Sequence, residues 1–93
     1  MHKPDATREL EIVNRLGLHA RAAARFVEVA RAHQAEVRVQ LDPRTANGKS
    51  IMGLMMLAAA RGSRITVMAT GADARQAIEA LAELVAHRFG EPD

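Results

Sequence analysis

Ninety-three residues with 48% hydrophobic content suit one compact domain with a single modest core, because so short a chain buries only part of the surface it exposes when unfolded. The absence of cysteine excludes a disulfide framework and a thiolate metal site. The net charge of +2 is unevenly placed: residues 15–49 hold seven Arg or Lys against three acidic residues, and residues 50–93 hold four against five.

Residues 1–7 read as a flexible tail, with His2 inside it. Leu10 and Ile12 alternate with Glu9 and Glu11, which predicts a first strand ending near Asn14. Arg15 to His19 reads as a loop. From Ala20 the period becomes helical, with Ala23, Phe26, Val27 and Ala30 on one face, and the first helix is expected to run to about Ala32.

Alternation returns at Ala35, Val37, Val39 and Leu41, and Asp42-Pro43 supplies turn chemistry for a hairpin whose return strand is short, around Thr45 to Asn47. Ser50 is a favoured N-cap, because its hydroxyl can accept an orphan backbone N–H. Gly62 after Arg61 suits a left-handed C-cap, so the second helix is expected to span 51–61.

Ile65, Val67 and Ala69 mark a fourth strand. Asp73 with Gln76 resembles a capping box, and Ala74, Ala77, Ile78, Leu81, Leu84 and Val85 form the apolar stripe of a long last helix. Residues 88–93 read as a second tail. The order β-α-β-β-α-β-α predicts an α+β two-layer open-faced sandwich, a four-stranded antiparallel sheet covered on one face by three helices, in one domain spanning 1–93.

Four histidines are present. His2 falls in the expected tail, and His33 and His87 fall near helix ends, where a dipole-favoured role explains them. No pair has metal-ligand spacing, so no metal and no cofactor are expected. His19 differs, because it follows Leu16-Gly17-Leu18 and stands where the first helix begins. Unpaired amides of that first turn favour an anion beside it. A neutral imidazole is a nucleophile, and once phosphorylated it would carry charge that those amides stabilise. Arg21 adds a guanidinium whose planar fork can hold phosphoryl oxygens.

The run Gly17-Leu18-His19-Ala20-Arg21 resembles the active-site signature of the HPr family of histidine-containing phosphocarriers, which serve bacterial phosphoenolpyruvate-dependent sugar uptake. Gly48-Lys49-Ser50-Ile51-Met52-Gly53-Leu54-Met55 resembles that family's regulatory-serine segment, and the resemblance spans roughly residues 8–87. It implies that His19 accepts a phosphoryl group from enzyme I at the ring nitrogen facing the helix amides, with Arg21 assisting. It also implies onward transfer to sugar-permease A-type domains or related regulatory acceptors, and phosphorylation of Ser50 by an HPr kinase.

One departure is Ala22, where the family usually has Pro. Loss of that ring loosens the active-site turn by at most about 1 kcal/mol.

Gly48-Lys49-Ser50 ends like a P-loop, but the Gly required five residues before Gly48 is Pro43, so ATP binding is rejected. The second helix has more apolar positions than one buried face needs. Ile51 and Met52 are therefore assigned to partner docking, beside Ala20, with Arg21, Arg25 and Lys49 supplying positive charge for an acidic protein partner.

Two aromatics, Phe26 and Phe89, are too few for nucleic-acid stacking, and no nucleic-acid partner is expected. The first residues lack an apolar leader, and no run approaches the roughly twenty apolar residues of a membrane span, so a cytoplasmic location is expected. A monomer suits a relay that meets its partners transiently. A self-contained enzyme is disfavoured by the sparse catalytic inventory, and the chain reads as a carrier that turns over only with partner enzymes. The alternative is a regulatory docking module of the same fold that acts without phosphoryl transfer.

Overall fold

The computed structural model describes residues 3–93. The elements are β1 (Ala6–Glu11), α1 (Ala20–Arg31), β2 (Glu36–Leu41), β3 (Arg44–Asn47), α2 (Ile51–Met56), β4 (Arg64–Thr70) and α3 (Ala74–Ala86), followed by a 3-10 turn over Arg88–Gly90. This is the expected α+β order. The strands lie β1-β4-β2-β3, every neighbouring pair antiparallel, with Leu10 opposite Ile65 and Val39 opposite both Val67 and Ala46.

Period-2 patterning decides which face of the sheet is covered. Val37 and Val39 on β2, and Ile65, Val67 and Ala69 on β4, are buried, while Glu36, Arg38 and Arg64 on the alternate positions are exposed. Onto that buried face α1 lays Ala22, Ala23, Phe26, Val27 and Ala30, and α3 lays Ala74, Ala77, Ile78, Leu81 and Val85. The Val, Leu, Ile and Phe side chains in this layer each contribute about 1.5–3 kcal/mol by leaving water. The core is continuous and also takes in Ile12, Leu54, Leu57 and Phe89.

Three expectations are corrected. The second helix stops at Met56 instead of reaching Arg61, and Gly62 is not its C-cap. Three alanines at 58–60 favour helix by propensity, but Ala58 turns to φ +54° and the Ala59 carbonyl leaves the helix to accept from the Leu18 amide at 2.9 Å. Satisfying a buried backbone amide next to His19 outweighs the few tenths of a kcal/mol that about one and a half more turns of helix over residues 57–61 offer. Gly62 instead serves the turn into β4, at φ +92° with its amide on the Ile12 carbonyl at 2.7 Å.

Asp73 caps α3 in position only. Its carboxylate reaches across to accept from the amides of Gln34 at 2.9 Å and Ala35 at 2.8 Å, so no capping box forms with Gln76.

The expected tails are also corrected. Asp5 is already tied to the sheet by its amide on the Ala69 carbonyl and its carboxylate on the Gly71 amide, and β1 begins at Ala6. Residues 88–93 fold back against the body. Positive φ at Arg88, Phe89 and Gly90 reverses the chain, Phe89 is fully buried, and the Asp93 carbonyl accepts from the Arg15 amide at 2.9 Å. An apolar Phe beyond the last helix has only the core to leave water for, and it anchors the segment. His2 lies outside the described residues. Among the described residues no helix is long and apolar enough to cross a membrane.

Candidate functional site

The loop before α1 is built around Gly17. Its φ of +69° disfavours any other residue, and a Cβ there would stand 2.5 Å from the Ala59 carbonyl oxygen. This close approach seats Leu18 in the core and leaves His19 as the N-cap of α1, with extended backbone at φ −79°, ψ −176°. The His19 carbonyl accepts from the Ala23 amide at 2.8 Å, the first bond of the helix.

The ring of His19 is held at both nitrogens. Nδ1 accepts from the Arg21 backbone amide at 3.3 Å, and Nε2 faces Glu91 Oε2 at 2.5 Å. Glu91 is in turn held by Asn14, a fully buried side chain whose Nδ2 donates to Glu91 Oε1 at 3.0 Å and to the Gly17 carbonyl at 2.8 Å. A flipped Asn14 amide would point its oxygen at two acceptors, so the orientation is set although Oδ1 itself has no partner. Burial opposes ionisation of Glu91. Hydrogen bonds from Asn14 and His19, the charge of the His19 ring when it is protonated, and the Arg21 guanidinium outweigh it and hold the carboxyl below its ordinary value.

An ionised Glu91 can only accept, and a backbone amide can only donate. The neutral ring that satisfies both neighbours therefore carries its proton on Nε2 and its lone pair on Nδ1. That lone pair points toward the first turn of a twelve-residue helix, where unsatisfied amides and the positive end of the dipole favour an incoming anion. The His19 side chain is 28% exposed, and beside it an open depression of about 480 Å³ is lined by Arg15, Leu16, Arg21 and Glu91. The geometry supplies a partly exposed imidazole with a nitrogen lone pair, amide donors, and two cationic side chains at one mouth. Among the described residues no group of three or more His, Asp or Glu is arranged to hold a metal.

The remaining site residues divide. Ala20, Arg21 and Arg25 are exposed on α1. Ser50 caps α2, its Oγ accepting from the Gly53 amide at 3.0 Å, and is half-buried. Ile51 and Met52 are exposed, Met52 at 71%, and they continue into exposed Met55 and Met56, with a further exposed apolar side chain, Leu16, on the loop before α1. Lys49 is different: its ammonium donates to the His33 carbonyl at 2.8 Å and its own carbonyl accepts from Arg31, so it ties the end of α1 to the start of α2. His33 and His87 each bond a carbonyl four residues back through Nδ1, the helix-end role expected of them.

Sequence reasoning missed Asn14 and Glu91. Phe89-Gly90 was the available signal, because an apolar residue past the last helix, followed by Gly, marks a chain that turns back onto the core.

Known proteins agree with this architecture. The family described as "PTS HPr component phosphorylation site" matches residues 6–87. The phosphocarrier protein HPr of Neisseria meningitidis serogroup A is 50% identical over 82 residues, covering 88% of this chain and 92% of that protein. The phosphocarrier protein HPr of Cupriavidus necator is 45% identical over 84 residues, 90% of this chain and 94% of that one. The crystal structure of HPr-C-His from Thermoanaerobacter tengcongensis superimposes with a TM-score of 0.90 at 40% identity, covering 95% of this chain and 99% of that chain. Sequence and backbone together place the chain in the HPr family of phosphocarriers of the phosphotransferase system.

Proposed function

We propose that His19 is the phosphoryl acceptor of this phosphocarrier, that Nδ1 is the atom that takes the group, and that enzyme I is the donor. The observation that carries this reading is the position of Nδ1, facing the Arg21 amide at the start of α1. In transfer, the Nδ1 lone pair forms the N–P bond as the bond from phosphorus to the donor breaks, and that electron pair stays with the donor. The Arg21 amide and neighbouring first-turn amides then face phosphoryl oxygens, and the Arg21 guanidinium offers a second set of donors for charge spread over them. In the onward step the N–P electron pair returns to Nδ1, and an A-type permease or regulatory domain takes the group.

The exposed side chains of Leu16, Ile51, Met52, Met55 and Met56 and the exposed cations Arg21 and Arg25 suit an apolar contact rimmed by positive charge, which fits an acidic partner. Phosphorylation of Ser50 by an HPr kinase would add about −1.5 to −2 charge to this surface and weaken docking of that partner. The cytoplasm, where the donor works, is the location that this role requires.

The experiment is labelling of the purified protein by enzyme I and phosphoenolpyruvate. Wild type takes up an acid-labile label and His19→Ala takes up none. Equal labelling of the two would overturn the assignment. A folded wild type that its cognate enzyme I does not label would favour a docking module of the same fold.

A further inference from the structure

We propose that Glu91, held in place by Asn14, is a positioning residue for phosphoryl acceptance: its carboxylate takes the Nε2–H of His19 and so presents Nδ1 as the free nucleophile. This inference rests on the reading of His19 as the acceptor and adds a residue outside the 6–87 segment that matches the family.

The contact is built by the fold. Phe89 is fully buried, the turn through Arg88, Phe89 and Gly90 reverses the chain, and the Glu91 amide bonds the Arg88 carbonyl at 2.9 Å. Glu91 thus arrives at the ring on an anchored segment, with its side chain only 10% exposed. Asn14 occupies Oε1, so Oε2 is the oxygen left for the ring. A carboxylate on one ring nitrogen determines which nitrogen carries the proton, as in the carboxylate–histidine pair of hydrolytic triads.

The same contact serves the transfer step. When the Nδ1 lone pair attacks phosphorus and the donor leaves with its electron pair, the ring acquires positive charge while Nε2 keeps its proton. Glu91 faces that charge from the far edge of the ring, away from the phosphoryl oxygens. It therefore stabilises the product ring without competing for the phosphate. When the group moves on, the electron pair returns to Nδ1 and the neutral Nε2–H form is restored.

The test uses the full chain labelled with 15N in histidine, as wild type, Glu91→Ala and Glu91→Gln. Ring nitrogen shifts are read at about pH 8.5, where an ordinary imidazole is neutral. Wild type gives the Nε2–H form of His19, Glu91→Ala gives a mixture of tautomers, and Glu91→Gln, whose single carbonyl oxygen Asn14 also claims, gives an Nε2–H fraction between those two. In acceptance assays with phospho-enzyme I, Glu91→Ala lowers kcat about tenfold, the size of one lost hydrogen bond to a charged group, with KM nearly unchanged. Glu91→Gln lies between the two. An unaltered tautomer in Glu91→Ala, or an acceptance rate equal to or above wild type, would overturn the inference while leaving His19 as the acceptor. If wild type accepts no phosphoryl group, the carrier reading fails, and the ring spectra still decide whether Glu91 sets the tautomer.

Discussion

Ala22 occupies the third position of α1, directly behind the site, where its amide is one of the first-turn donors without a partner inside the helix. Proline there gives up only that orphan donor and restricts the unfolded chain. Ala22→Pro is therefore expected to keep labelling of His19 and to raise unfolding free energy by about 0.5 kcal/mol, read from a denaturant melt. Loss of labelling would show that the turn needs the Ala22 amide. His19 and Arg21 could be placed together at a helix start because a glycine-bearing loop running into a helix is a local pattern. Glu91 could not be placed there, because it lies 72 positions from His19 and reaches it only through a reversal of the chain that depends on burying Phe89. Lys49 was legible as a charge but not as a strut, since its partner is a backbone carbonyl at the end of another helix.

The second helix shows where local propensity yields to packing. The helical period of 51–57 and the serine cap were readable, and the end of the helix was not, because the Ala59 carbonyl is claimed by the loop that carries His19. A helix of only six residues depends strongly on its cap. Ser50→Ala should cost about 1 kcal/mol in a thermal or denaturant melt. Ser50→Asp keeps a side chain that caps equally well and adds charge favourable to the helix start, so its stability should stay within a few tenths of a kcal/mol of wild type. If Ser50 regulates docking, the same Asp variant accepts phosphoryl groups from enzyme I more slowly although it is fully folded. Unchanged acceptance kinetics in Ser50→Asp would leave the serine a cap alone.

At the scale of the whole molecule, the seven regular elements and their order followed from hydrophobic period and punctuation, while the spatial order β1-β4-β2-β3 did not. Alternation tells which face of a strand is buried but not which strand lies beside it. Cross-links between distant segments were hidden for the same reason. Asp73 binds the start of α3 to the segment entering β2, and the Gln34 amide first, then that of Ala35 and the nearby His33, hold its carboxyl below the ordinary 3.8 against a smaller effect of burial. A depressed carboxyl contributes stability that is fully present above 3.8 and is lost as pH falls through the folded-state value. Wild type should therefore lose stability on acidification below about pH 4, with Asp73→Asn showing a shallower acid limb. Identical acid limbs would mean that the Asp73 link is already open in solution. Phosphoryl acceptance as proposed depends on one atom, Nδ1 of His19. The most direct measurement is the 15N–31P coupling pattern of the phosphorylated, 15N-histidine-labelled protein. A phosphoryl group on Nδ1 of His19, with Nε2 still protonated, is the predicted result, and a phosphoryl group on Nε2 or on another histidine would contradict it.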